Sequence, residues 1–163
     1  MTRIAAYLAT FPLIAVFCGA LLGGYVIDLI LKKTGSRFWS RCGVAIGSLA
    51  ASGLFVIVAS RFESLYLFTL MMSVCALFTG MGNPAAWTAT MDVGGRQTAI
   101  AFGVMNMAGA LRGFIMPIVL GYLIGDIKRT EGDWNHVLYV VALTYFVAAL
   151  CWLLVNPNQT IDD

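Results

Sequence analysis

The sequence predicts an all-α membrane protein, a single bundle of five transmembrane helices. Three observations carry this. First, 60% of the 163 residues are hydrophobic and 11% are charged, whereas a soluble domain is about 25% charged. A water-soluble globule this small needs polar residues to cover its large relative surface, and the mean hydropathy of +0.87 points to lipid as the outer solvent. Second, five apolar runs reach or approach the roughly 20 residues needed to cross a hydrocarbon core about 30 Å thick. Third, several links between runs are only a few residues long, which forces successive helices to run antiparallel.

The runs cover residues 4–31, 42–60, 65–91, 98–125 and 137–155, all within one bundle spanning residues 1–163. The first carries Asp28 near its end and the fourth carries Arg112 near its centre, while the second, third and fifth hold no charge between their limits except at the third run's edge, where Asp92 follows. Each is apolar around its whole circumference, as expected of helices that face lipid and other helices. The ten-residue alternation of a membrane β-barrel is not seen. The first run is too long for the 7–15-residue core of a signal peptide, and bulky Phe17 before Cys18 fits poorly with lipid attachment. "RFES" joins runs two and three, and "DVGGRQ" joins three and four. "KKTGSRFWSR" and "DIKRTEGDWN" read as the longest loops.

Composition excludes several function classes. The net charge of +2 is small and scattered, with no run of like charges to bind nucleic acid. Cys18, Cys42, Cys75 and Cys151 are widely spaced and fit small apolar filler better than a disulfide framework or a metal site. His136 has no His or Cys partner at ligand spacing, so neither metal nor cofactor is expected. No paired-acid motif, Ser/His/Asp set, HExxH or phosphate loop is present, and enzyme activity is not expected.

Counting basic residues gives a weak orientation. With the first loop cytoplasmic, Lys32, Lys33, Arg37, Arg41 and Arg96 lie inside, and Arg3, Arg61, Lys128 and Arg129 lie outside. That puts the tail "NPNQTIDD" in the cytoplasm. Trp39 and Trp152 then sit near the inner interface and Trp134 near the outer one.

Helices in lipid associate through close contact at small residues. The pairs Gly19/Gly23, Gly43/Gly47, Gly109/Gly113 and Gly121/Gly125, each four apart, predict stripes of close backbone approach. Pro84 and Pro117 each remove a backbone donor within a run, and interrupted helices are where transporters often form sites.

"GGYVIDLILKKTG" resembles the loop signature of the major facilitator superfamily, with Gly24, Asp28, Lys32 and Lys33 matching it. "NPAAWTATMDVGGRQTAIAFGVMNMAGALRGFIMPIVLGYLI" is similar to the tenth and eleventh helices of that superfamily's organic anion:cation symporter branch. Trp87, Asp92, Gly103, Asn106, Gly109, Gly113, Pro117 and Gly121 carry this likeness, and "TFPLIAVFCGALLGG" is similar to the branch's eighth helix. The likeness covers most of the chain, from Thr10 to Val155. It implies a partial major facilitator fold, with the five runs as helices eight to twelve. It also implies that seven helices, including the N-terminal half, lie outside this sequence, and that the chain sits in a bacterial inner membrane. On that reading the partners are the lipid bilayer, the missing half, and a small organic anion moved with a coupling proton or sodium ion.

The residues themselves suggest roles. Asp28 beside Lys32, with Lys33, can form a contact that holds one conformation and breaks in another, or it can simply mark the interface; Asp92 and Arg96 form a second, looser candidate. An arginine at mid-membrane costs about 3 kcal/mol on insertion scales, so Arg112 should face the bundle interior, a wet cavity or an anion. This sequence departs from the branch at two places: Ala110 stands where asparagine is expected and Arg112 where glycine is expected. Arg112 is thus either a change of specificity toward a more anionic substrate or a lesion. The substrate-contact candidates are Asn83, Trp87, Asn106 and Arg112, although Asn83 can simply satisfy the Pro84 kink and Asn106 can bridge helices.

Two function classes stay open. One is a segment of a secondary transporter moving a small organic anion, such as a sugar acid, by alternating access. The other is a small non-transporting membrane protein that assembles with another helix bundle, or a non-functional truncation.

Overall fold

The computed structural model describes residues 2–130 and 133–161, with side chains for 7–129 and 133–161. The Arg3 side chain, Glu131, Gly132, Asp162 and Asp163, which the loop and charge readings drew on, lie outside that description. The fold is built from α1 (Thr2–Thr34), α2 (Val44–Ala59), α3 (Leu65–Gly94), α4 (Thr98–Thr130) and α5 (Asn135–Cys151). A π turn, Trp39–Gly43, leads into α2, and single 3₁₀ turns follow α3 and α5.

The first loop is shorter than expected. α1 continues through Lys32 and Lys33, and the turn before Arg37 is confined to Gly35 and Ser36. Gly35 has φ +64°, and its N–H donates to the Leu31 carbonyl at 2.9 Å. This left-handed stop suits glycine, which has no Cβ to clash.

The expected five separate helices need one amendment. α3 and α4 are joined by the helical turn Gly95–Gln97, so four stretches of uninterrupted helix are long and apolar enough to cross a membrane, one of them Leu65–Arg129. The chain nevertheless reverses within that stretch. Gly95 takes φ +48°, and Thr90 Oγ1 lies 3.2 Å from Met105 Sδ, a contact that a straight helix rising 1.5 Å per residue would forbid. α3 and α4 therefore form an antiparallel hairpin.

The helices pack very unevenly. α1 and α3 run parallel in the closest contact of the fold. A methyl group at Gly19 would collide with the Leu77 carbonyl, one at Gly23 with the Met81 carbonyl, and one at Gly80 with the Val16 carbonyl. Pro84 lacks the N–H that would bond the Gly80 carbonyl one turn earlier, so one bond of the helix ladder is missing next to this contact, although α3 stays helical through it. Against expectation, the other stripes do not pack. A Cβ at Gly47, Gly109, Gly113, Gly121 or Gly125 meets nothing within 4 Å, and at Gly43 only the Trp39 ring at 3.1 Å. The reason is topological: α4 touches α3 along their shared hairpin but barely meets α5, which leaves its glycine face open.

α2 sits between α3 and α5. At one end Ile27, Val44, Ala45 and Ala85 form a buried cluster against Trp152. Deeper in, Val56, Cys75 and Ala142 pack against Phe55, Tyr145 and Phe146, and Phe55 stacks on Phe78 at 5.6 Å. Large apolar side chains cover the outside, among them Phe11, Leu21, Tyr25, Met107 and Leu143, as suits a surface in hydrocarbon. This is a multi-pass integral membrane protein.

Candidate functional site: a basic cavity and an ion-paired end

Five helices alternating in direction bring the α1 C-terminus, the α2 N-terminus, the α3–α4 turn and the α5 C-terminus to one end of the bundle. Arg41, on the π turn, is carried there to meet Asp92, near the end of α3. Arg41 Nε donates to Asp92 Oδ2 at 2.9 Å, and the two side chains are 11% and 19% exposed. Arg41 Nη1 also donates to Ser40 Oγ at 3.1 Å, and buried Ser40 donates to the Ile27 carbonyl at 2.7 Å. One network therefore joins α1, the start of α2 and the end of α3. Asp28, one residue past Ile27, is exposed, as are Lys32, Lys33 and Arg96, while Gly24 is half-buried. The sequence reading paired Asp92 loosely with Arg96 and did not single out Arg41. Antiparallel run order was the available signal, since it puts the start of run two beside the end of run three.

The same end is closed by the tail. Cys42 Sγ donates to the Val155 carbonyl at 3.4 Å, Pro157 is fully buried, and Ile161 N–H donates to the Val93 carbonyl at 2.9 Å.

Between α2, α3, α4 and α5 lies a cavity of about 360 Å³, at the low end of the roughly 300–1,000 Å³ seen for small-molecule sites. Arg112 and Met116 line it from α4, Asn83 and Thr79 from α3, Tyr145 and Thr144 from α5, and Trp152 from the turn after α5. No aspartate or glutamate lines it among the described residues. The structure thus brings together two of the four substrate-contact candidates, Asn83 and Arg112. It does not bring in Trp87 or Asn106, which are absent from the lining, although all four side chains are exposed. On α4, helical geometry explains the division; on α3, Trp87 lies one turn beyond Asn83 on the same face, past the end of the lining. At 3.6 residues per turn Arg112 shares a face with Met105 and Met116, whereas Asn106 shares one with Gly103, Ala110 and Gly113, about a third of a turn away.

Sequence reasoning missed the hydroxyls. Thr79 Oγ1 lies 3.1 Å from Tyr145 Oη, 3.0 Å from Ser52 Oγ and 3.0 Å from the Cys75 carbonyl. Ser52 is fully buried and donates to the Ser48 carbonyl at 2.9 Å. The chain of hydroxyls runs from α2 through α3 to α5 and ends at the cavity. A threonine and a tyrosine inside apolar runs were the visible signal, but each alone is ordinary in membrane helices.

Such a site can neutralise and orient an acidic group. A guanidinium offers paired donors to a carboxylate, sulfonate or phosphate, and Asn83 adds an amide. Among the described residues no group of three or more His, Cys, Asp or Glu is placed to hold a metal ion.

Comparison with known proteins supplies a context for this geometry. The sequence profile of the Major Facilitator Superfamily matches residues 3–162. A protein of Cupriavidus necator named probable sulfoacetate transporter SauU is 30% identical over 158 residues, covering 97% of this chain and 36% of its own length. The probable galactarate/D-glucarate transporter GudP of Bacillus subtilis is 28% identical, over 96% of this chain and 34% of its own. A D-galactonate transporter of Escherichia coli O6:H1 is also 28% identical, over 92% and 34%. The chain spans about a third of the length of these relatives.

Proposed function

The chain belongs to the Major Facilitator Superfamily, and from that premise we propose that it forms part of a secondary active transporter for a small organic anion. One observation carries the reading: Arg112, the one charge at the centre of the apolar runs, lines a small cavity with Asn83 and hydroxyl groups, and among the described residues no acidic side chain lines it. In a low-dielectric setting a guanidinium placed that way attracts an anion from solution. The relatives' names, which speak of sulfoacetate, galactarate, D-glucarate and D-galactonate, support carboxylates and sulfonates as the substrate class.

On this reading Arg112 binds the acidic group and Asn83 an adjacent polar group. The open α4 face with Asn106, together with exposed Trp87, meets the N-terminal half of the carrier, and substrate crosses between the two bundles by alternating access. The end network of Arg41 and Asp92, with Gly24, Asp28, Lys32, Lys33 and Arg96 around it, holds one conformation and loosens in the other. A proton or sodium ion couples the movement. The chain sits in a bacterial inner membrane with its C-terminus in the cytoplasm, as one bundle over residues 1–163.

The test is co-expression with a separately encoded N-terminal half of the SauU relative, followed by uptake of labelled sulfoacetate and D-glucarate. Uptake that needs both halves, and that falls by tenfold or more in Arg112→Gln, is the expected result, since a charge-assisted hydrogen bond is worth about 1.5–3 kcal/mol. Absence of uptake in every combination, or uptake indifferent to Arg112, refutes the proposal.

A further inference from the structure

We propose that Tyr145 is the second anion ligand of this cavity, giving its phenol hydrogen to the same acidic group that Arg112 binds, and that Ser52 and Thr79 are positioning residues that hold the Tyr145 hydroxyl ready. The inference rests on the reading of the cavity as an anion site.

The argument follows the hydrogens. A serine or threonine hydroxyl has one hydrogen and can accept two more bonds, and a phenol likewise carries one hydrogen. At the closed end of the chain, buried Ser52 spends its hydrogen on a backbone carbonyl, that of Ser48 at 2.9 Å or of Cys75 at 3.2 Å. Thr79 then accepts or donates between Ser52, the Cys75 carbonyl and Tyr145, all within 3.1 Å. When Thr79 donates to Tyr145 Oη, the phenol hydrogen goes either to the neighbouring Cys75 thiol, a weak acceptor within hydrogen-bonding reach of Tyr145, or into the cavity that Tyr145 lines. An anionic oxygen is a far stronger acceptor than a threonine hydroxyl, so an arriving anion selects that arrangement.

The surroundings favour it. Burying a hydroxyl without a partner costs free energy, and more so in hydrocarbon. The chain is satisfied from α2 to α3, and its Tyr145 end belongs to a residue that lines the cavity. Tyr145 reaches the cavity from α5 and Arg112 from α4, two helices that hardly touch each other directly. An anion bound by both residues therefore bridges two helices that otherwise barely meet. A bidentate guanidinium fork engages two oxygens of one anion, and a sulfonate, or a carboxylate through its remaining lone pairs, has acceptor capacity left for the phenol. The cavity takes an organic oxyanion, whether from a free acid or from an acidic lipid headgroup, and the experiment distinguishes these.

The whole chain, reconstituted in phosphatidylcholine nanodiscs, is titrated calorimetrically with sulfoacetate, D-glucarate and D-galactonate, and with succinamide as an uncharged control. Binding of at least one acid and not of succinamide is expected. Tyr145→Phe, which removes a single oxygen, should weaken that binding about tenfold or more, the loss of one hydrogen bond to a charged group. Thr79→Val should weaken it similarly, and Thr79→Ser should restore it, an outcome that a merely space-filling role would not give. Repeating the titration with phosphatidylglycerol in the disc separates the sources, because an affinity for free acid that falls as this lipid increases, in the native chain but not in Tyr145→Phe, identifies a headgroup as a second occupant of the same two ligands. If Arg112→Gln abolishes binding while Tyr145→Phe leaves it unchanged, the anion site stands and the Tyr145 assignment is overturned. If the native chain binds none of the acids, the anion site itself is overturned and the assignment with it.

Discussion

Removing Arg41 tests the end network most directly. The Arg41–Asp92 pair lies at 2.9 Å with both side chains more than four-fifths buried, between the exposed pairs worth about 0.2–1 kcal/mol and fully buried ones. At an effective dielectric constant of 20 the gross attraction at 2.9 Å is about 6 kcal/mol. Desolvation of two ions takes back much of it, several kcal/mol per ion. The useful quantity is therefore the cost of breaking the pair. Arg41→Ala leaves a buried carboxylate without its partner and leaves Ser40 Oγ without its donor, and it should cost about 3 kcal/mol. Asp92→Ala strands the guanidinium and should cost a similar amount. In the double variant neither stranded charge exists, so its loss should fall short of the sum of the two by about 2 kcal/mol. The assay is equilibrium unfolding of the four proteins in mixed micelles, followed by helical circular dichroism. If the single losses are each below about 0.5 kcal/mol, or if they simply add, the network does not tie α1, α2 and α3 together and the reasoning is wrong.

Two further outcomes follow from the packing and the loops. Gly19→Ala and Gly80→Ala drive a methyl into a facing backbone carbonyl and should each lose about 1–3 kcal/mol by the same unfolding assay. Gly109→Ala and Gly113→Ala meet open space and should be neutral, or stabilising by up to about 1 kcal/mol through helix propensity. The Asp133 carboxylate accepts the Asn135 N–H at 2.9 Å, and this bond holds its pKa below the ordinary value. A lowered folded pKa means that the stabilisation is present above the ordinary carboxylate pKa, near 4, and is lost as pH falls through the lowered one. Amide exchange at the start of α5, corrected for its intrinsic pH dependence, should therefore quicken below about pH 4 in the native chain and show no such step in Asp133→Asn.

Much of the fold was legible in the residues because a bilayer imposes simple demands. Helices must be long and apolar, so the limits at 65–91 and 98–125 fall within a few residues of α3 and α4. Links must be short, so neighbours alternate in direction. The kind of charge at position 112 was equally plain, because an arginine in an apolar run has few tolerable surroundings. What the chain could not announce was which helix lies against which. Gly19 and Gly23 meet backbone while Gly109 and Gly113, with the same spacing, meet nothing, because contact depends on a partner helix distant in sequence. Arg41 and Asp92 are 51 residues apart, and Thr79 and Tyr145 are 66 apart. Periodicity reports a residue's face on its own helix, whereas pairing across helices is set by how the five rods turn and settle against one another. The solvent of this protein is therefore written along the chain, and the partners of its few polar groups were decided only when the helices packed.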